Sequence, residues 1–206
     1  MNLYERYETL LSAKPDIEKA KDAVIESFKS GGKLLLCGNG GSSADCDHIV
    51  GELMKGFMSK RSLTKEQRLE MIKNNESINR EWLGQLQRAL PAVSLTSATA
   101  LNTAFCNDVN PELLYAQQLM GLGKKEDVLL CISTSGNSKN VCAAAAVGKA
   151  LGITVIALTG QGGGKLKEIA DICICVPETE TYKVQELHLP VYHYICAETE
   201  KHFFND

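Results

Sequence analysis

The chain has 206 residues, 44% of them hydrophobic and 23% charged, the proportions of an ordinary globular protein with a single large core. A formal net charge of -3 gives no electrostatic reason to expect nucleic acid or a membrane surface as a partner. The apolar runs at 128–132 and 153–158 are too short to cross a bilayer, and the polar residues 1–7 hold no signal-peptide core, so a cytoplasmic protein is expected.

In chain order, residues 2–30 read as one or two helices, with Pro15 as break and opener and Gly31-Gly32 as the stop. The apolar run 33–37 then ends in Gly38-Asn39-Gly40-Gly41-Ser42-Ser43, and a helix is predicted over 44–59. Residues 61–90 carry both charge signs and no strand signal; Leu69, Ile72, Ile78, Leu83 and Leu86 suggest helix, interrupted at Asn74-Asn75. This segment is expected to be an exposed helical insertion. Further β-rich runs fall at 91–95, 128–132, 153–158 and 172–176, with helices predicted between them over 98–105, 111–122, 140–151 and 165–170. A long helix from 183 to about 203 closes the chain. Strands alternating with helices predict an α/β fold, with a parallel sheet of about five strands covered on both faces. The whole chain, 1–206, is expected to be one domain with an N-terminal helical extension at 1–30.

Eight cysteines are present, without a Cys-x-x-Cys pair. Cys37, Cys131, Cys173 and Cys175 lie in strand-like runs, and Cys46, Cys106, Cys142 and Cys196 in helix-like ones. They are expected to be reduced thiols packed as small hydrophobes.

The most informative segment is Ser133-Thr134-Ser135-Gly136-Asn137-Ser138, which joins a buried strand directly to a helix. In a parallel sheet, ligands sit beyond the carboxyl ends of the strands, where a helix N-terminus offers unpaired N–H groups. Four hydroxylated residues in six add neutral donors for a phosphate dianion, and helix capping explains only one of them. No Gly-Lys-Ser/Thr follows at Walker spacing. The earlier loop, Asn39-Gly40-Gly41, has the same layout but precedes Asp45, which disfavours phosphate, so it is assigned to sugar hydroxyls. It lacks Gly-x-Gly-x-x-Gly spacing, which argues against a nucleotide cofactor.

His48 and Glu52 share a helix face. Gln185, His188 and His193 are clustered on the last helix. His48, Glu52, Gln185 and His193 together would make an N/O site for a divalent metal such as zinc. Gln185 and His193 stand about 12 Å apart along an uninterrupted helix, so both reach one ion only at full extension or with a bend at Pro190. His188 is assigned a capping or core role.

Cys37-Gly-Asn-Gly-Gly-Ser-Ser-Ala-Asp, His48-x-x-x-Glu52, Ile132-Ser-Thr-Ser-Gly-Asn-Ser138, Leu158-Thr-Gly-x-Gly-Gly-Gly-Lys165 and Gln185-Glu-Leu-His occur in order. Together they resemble the sugar isomerase (SIS) domain family, in its phosphoheptose isomerase branch, along nearly the whole chain outside the insertion. The resemblance implies phosphate binding by Ser133, Thr134, Ser135 and Ser138. It implies sugar contacts from Asn39, Gly40, Gly41, Asn107 and Asp108, with Glu52 and Gln185 also touching substrate. His48, Glu52, Gln185 and His193 match the family's zinc and catalytic set. The implied activity is aldose–ketose isomerisation of a sugar phosphate, sedoheptulose 7-phosphate to D-glycero-D-manno-heptose 7-phosphate, through an enediol. Glu52 is then the base and His193 the complementary acid–base group. A homotetramer is implied as well. The alternative within the family is a non-catalytic sugar-phosphate-binding regulator or assembly protein, which has no need of a base. Three departures from the family pattern stand out. The insertion is long; Leu53-Met54-Lys55-Gly56-Phe57 stands in place of Leu-x-Gly-Arg-aromatic, leaving Lys55 as a displaced cation; and Tyr182 occupies the position of a family Asp.

Overall fold

A computed structural model describes residues 2–204. Five parallel strands form one sheet: β1 (Leu34–Gly38), β2 (Ala92–Ser94), β3 (Val128–Ser133), β4 (Thr154–Thr159) and β5 (Ile172–Cys175). Their order is β2-β1-β3-β4-β5, so the winding direction reverses between β1 and β3. The crevice outside the carboxyl ends of those two strands is where an open parallel sheet binds ligands. It is flanked here by the glycine-rich loop after β1 and the serine-rich loop after β3.

Alternation along the strands sorts the core into two layers. Leu34, Leu36, Val128, Leu130, Ile132, Ile156 and Leu158 face one side. Against them pack α2 (Lys14–Lys29), α3 (Gly41–Met54) and α10 (Thr181–Phe204) through Ile17, Val24, Ile49, Leu53, Val191 and Ile195. Leu35, Cys37, Leu129, Cys131, Val155 and Ala157 face the other side. That side is covered by α7 (Leu114–Leu122), α8 (Lys139–Ala150) and α9 (Leu166–Ile169). Burial on both faces is why these strands read as continuous apolar runs.

The N-terminal segment is α1 (Leu3–Arg6), a 3-10 turn at Glu8–Ala13 and α2, whose first turn holds Pro15. Ile17 and Ala20 are fully buried, so this extension is part of the sheet's cover. In the insertion, α4 (Lys65–Asn74) begins with a capping box between Thr64 and Gln67, and α5 (Arg80–Gln85) with the Asn79 side chain as cap. The interruption falls at Asn75, as the sequence indicates. Leu69 and Leu86 are exposed, and Leu83 alone among the expected apolar positions is fully buried.

Three local details depart from the sequence reading. The helix predicted over 44–59 begins earlier, at Gly41, and stops at Met54, because Lys55 is extended and the chain then turns toward α10. The helix predicted over 165–170 is a single turn. Arg61, placed in an exposed segment, is 1% exposed and adopts φ 45°, an uncommon backbone state for a residue other than glycine. The helix predicted over 98–105 is α6 (Thr99–Asp108). The last helix runs through Pro190 as one element. All eight cysteines are free thiols. Among the described residues no helix is long and apolar enough to cross a membrane.

Candidate active site

The serine-rich loop is held open by its neighbours. Gly136 takes φ 67°, and a Cβ there would overlap the Gly163 carbonyl, so the loops after β3 and β4 touch backbone to backbone. Gly160 N–H donates to the Thr134 carbonyl (2.9 Å), Leu166 N–H to the Gly136 carbonyl (3.0 Å), and Lys165 N–H to Asn137 Oδ1 (3.1 Å). Ser133 and Ser138 share a hydrogen bond between hydroxyls, 3.1 Å. Ser138 stands at the N-cap of α8 without capping it through its side chain. Val141 N–H is taken by Asn140 Oδ1 (3.0 Å), and the N–H groups of Lys139 and Asn140 remain available to an anion beside the hydroxyls of Ser133, Thr134, Ser135 and Ser138.

The glycine-rich loop is tied to that helix. Asn39 and Asn140 exchange two amide hydrogen bonds of 2.9 Å, and the Tyr115 hydroxyl donates to the Gly38 carbonyl at 2.6 Å. Asn140 and Tyr115 escaped the sequence reading, since neither belongs to a motif and only the fold brings them to Asn39. Gly40 takes φ 56°, and Gly41 leaves room for the Gln185 amide, which a Cβ would strike. Gln185 of α10 thus abuts the start of α3.

Seven residues along α3 from Gly41, roughly 10 Å at helical rise, lies the titratable cluster. His48 Nε2 is 3.1 Å from Glu52 Oε1. The His193 ring stands edge-on to His48 with centroids 5.0 Å apart, and the Phe57 ring is tilted against it with centroids 5.5 Å apart. Burial, reinforced by His48, pushes the His193 pKa below the ordinary histidine value against the opposing pull of Glu52. His193 is therefore held in the neutral form that serves as ligand or base. Glu52 Oε2 and His193 Nε2 are buried without hydrogen-bond partners. Lys55 is largely exposed, and its ammonium lies 3.7 Å from Glu52 Oε2, beyond hydrogen-bond range.

His48, Glu52 and His193 offer ligand atoms within 4.8 Å of one another. Ligands around a tetrahedral ion stand roughly 3.3 Å apart at ordinary bond lengths, so small side-chain adjustments would close them on a metal. Two unpartnered buried atoms of the right chemistry, an oxygen and an imidazole nitrogen, fit that use. Gln185 is placed two turns before His193, its amide against Gly41. His188 is fully buried, matching its expected core role. Asn107 and Asp108 end α6, exposed and bonded to each other at 2.8 Å, without a hydrogen bond to the other candidates.

Comparison with known proteins agrees with this geometry. A family model described as the SIS domain matches residues 3–160. A phosphoheptose isomerase of Akkermansia muciniphila is 33% identical over 204 residues, covering 99% of this chain and 94% of the relative. One from Burkholderia pseudomallei is 39% identical over 188 residues, 91% of this chain and 82% of the relative. Among solved structures, a phosphoheptose isomerase from Neisseria gonorrhoeae superposes with TM-score 0.71 at 30% identity, covering 97% of each chain. One from Francisella tularensis gives 0.74 at 29% identity, covering 96% of this chain and 95% of the other.

Proposed function

This chain belongs to the SIS domain family, and from that membership together with its near full-length similarity to phosphoheptose isomerases we infer that it is an aldose–ketose isomerase of heptose phosphates. The reaction converts sedoheptulose 7-phosphate to D-glycero-D-manno-heptose 7-phosphate through an enediol. The observation that carries this reading is the meeting of Glu52 and His193, each with a buried atom lacking a partner. A protein that only bound the sugar would gain nothing from keeping a carboxylate oxygen and an imidazole nitrogen buried without hydrogen bonds.

In this mechanism the phosphate rests on the hydroxyls of Ser133, Thr134, Ser135 and Ser138 and on the N-terminal amides of α8. Asn39, Gly40, Gly41, Asn107 and Asp108 serve the sugar hydroxyls. Remote binding of the phosphate fixes the reacting carbons, so less of the barrier is left to the chemical step. The Glu52 carboxylate moves the proton between the adjacent carbons. Neutral His193 handles the proton on the substrate oxygens. His48, Glu52, His193 and Gln185 are the residues that would hold a zinc ion. A metal bound there would supply Lewis-acid polarisation of the substrate oxygens.

The protein works as a cytoplasmic homotetramer in this reading. Support comes from exposed Leu11, Met58, Trp82, Met120 and Leu189, apolar surface that further copies would cover. The test of activity is incubation of the metal-replete protein with sedoheptulose 7-phosphate in deuterated water. Deuterium at the carbon next to the carbonyl, with aldose product, is expected. Absence of exchange from this and other ketose phosphates would overturn the enzyme reading in favour of a binding protein.

A further inference from the structure

Tyr192 joins His48 to Asp45. Its ring is 2% exposed within the layer formed by α3 and α10, and its hydroxyl is the one polar atom it brings there. That hydroxyl lies 2.9 Å from His48 Nδ1 and 3.2 Å from Asp45 Oδ1. Asp45 and His48 are three residues apart on α3, so they share the face that α10 covers. Asp45 Oδ2 is buried with no hydrogen-bond partner.

A count of protons decides the direction of these bonds. The carboxylate of Asp45 only accepts, and among the described residues the Tyr192 hydroxyl is its one hydrogen-bond donor. Tyr192 has one proton. If it were given to His48, a half-buried carboxylate would keep no partner at all, which costs more than an average hydrogen bond is worth. With the proton on Asp45, the Tyr192 oxygen accepts from His48, and Nδ1 must carry the hydrogen. In the neutral ring the other nitrogen, Nε2, then carries the lone pair and faces Glu52 Oε1 at 3.1 Å, an acceptor–acceptor contact that a cation bound between them would relieve. Burial raises the Asp45 pKa, and the Tyr192 hydrogen bond and His48 offset part of that rise.

We propose that Tyr192 is a positioning residue which, with Asp45, holds His48 in the Nδ1-protonated tautomer and so presents the Nε2 lone pair as a ready metal ligand. This rests on the reading of His48 as a ligand, but not on any turnover. The rival arrangement has Nε2–H donating to Glu52 Oε1 at 3.1 Å, and it would remove His48 from the ligand set.

The experiment is long-range proton–nitrogen NMR of the His48 ring in the metal-free protein near pH 8, with zinc affinity measured by competition against a chelator. The wild type should carry its proton on Nδ1 alone. Tyr192→Phe keeps the buried ring and should move the proton toward Nε2. Its zinc affinity should fall by about 10- to 100-fold, the usual effect of losing such a hydrogen bond behind a ligand, with the melting transition little changed. Asp45→Asn should shift both readouts the same way and stands in if Tyr192→Phe fails to fold. A proton on Nε2 in the wild type, or unaltered zinc affinity in folded variants, would overturn the proposal. Neither readout depends on isomerase activity, so failure of the relay and failure of the assigned function are separable.

Discussion

Arg61 and Glu200 form an ion pair with both side chains withdrawn from solvent, Nε to Oε1 at 2.6 Å. The same guanidinium donates to the carbonyls of Leu53 (2.6 Å) and Glu52 (3.1 Å), the last turn of α3. Glu200 in turn accepts the N–H groups of Phe57 and Met58. A cation at a helix C-terminus satisfies orphan carbonyls and complements the helix dipole. The pair therefore ends the helix carrying His48 and Glu52, and fastens it to the helix carrying His193. The positive φ of Arg61 is backbone strain tolerated for that connection.

Replacing Arg61 with Met should lower stability by about 3 kcal/mol or more, because a buried carboxylate loses its counter-ion. Urea unfolding is the measurement, with the slope unchanged and the midpoint lowered. A loss under about 1 kcal/mol, the range of exposed pairs, would show the pair to be dispensable. The acid limb gives a second check. Burial pushes the Glu200 carboxyl up, but the Phe57 and Met58 amides and Arg61 outweigh it, and the net pKa lies below the usual 4.5. Its stabilisation is thus full above that value and is lost as pH falls through the lower folded value, a decline that Glu200→Gln should remove.

His188 titrates in the opposite sense to a paired histidine. It is fully buried on α10, and burial lowers its pKa from 6.5 to about 4. Between those values the unfolded chain binds a proton that the folded chain refuses, so stability falls as pH drops below 6.5 and levels off below about 4. The full difference is about 3 kcal/mol by linkage. His188→Leu should flatten the pH dependence of unfolding over that window relative to the wild type. Parallel curves for the two proteins would show that His188 takes up its proton without opening the core.

Much of this was legible in the chain. Val128–Ser133 and Thr154–Thr159 are buried on both faces, so they stood out as apolar β-rich runs, and their alternation with helices indicated a parallel sheet. His48 and Glu52 were visible because four residues is one helical step. The partnership of α3 with His193 is not periodic within either helix; it was read from side-chain chemistry and matched by the family resemblance, and packing of α10 on α3 brings His193 to His48 and Glu52. Arg61, Asn140 and Tyr192 were missed for a common reason. None belongs to a motif, and the partner of each lies far away in sequence: Glu200, Asn39 and Asp45 respectively. Arg61 was the hardest, because a polar, charged surrounding segment predicts exposure and only the carboxylate on α10 makes burial tolerable.

The hydroxyl pair at the head of α8 makes a separable prediction about binding. Ser138→Ala removes one donor and leaves the backbone of the braced loop intact. A hydrogen bond to a charged group is worth about 1.5–3 kcal/mol, so affinity for sedoheptulose 7-phosphate should drop by at least ~10-fold. The loss should appear mainly in KM, because the phosphate does not change during the reaction. A variant with unchanged KM would move the phosphate away from this loop. Gly136→Ala should be more damaging, since the new Cβ meets the Gly163 carbonyl and the brace between the two loops has to part.

Glu52→Gln isolates the chemical step. The replacement is nearly isosteric, and the carbonyl that Arg61 holds belongs to the backbone, so the fold and the phosphate loop should be untouched. Carbon–deuterium exchange should fall by at least ~100-fold, the scale for losing a positioned general base, while sugar-phosphate binding measured by calorimetry changes little. Zinc affinity should also weaken, since an anionic ligand has become neutral. The two losses are distinguished by saturating the variant with zinc. If exchange returns with the metal, Glu52 serves only to hold the ion, and His193 must be the base. If the metal-saturated variant stays inactive, the proton transfer belongs to Glu52. In that case His193→Gln, saturated with zinc in the same way, should retain exchange at carbon while slowing release of the aldose, because the remaining task of His193 is at the substrate oxygens.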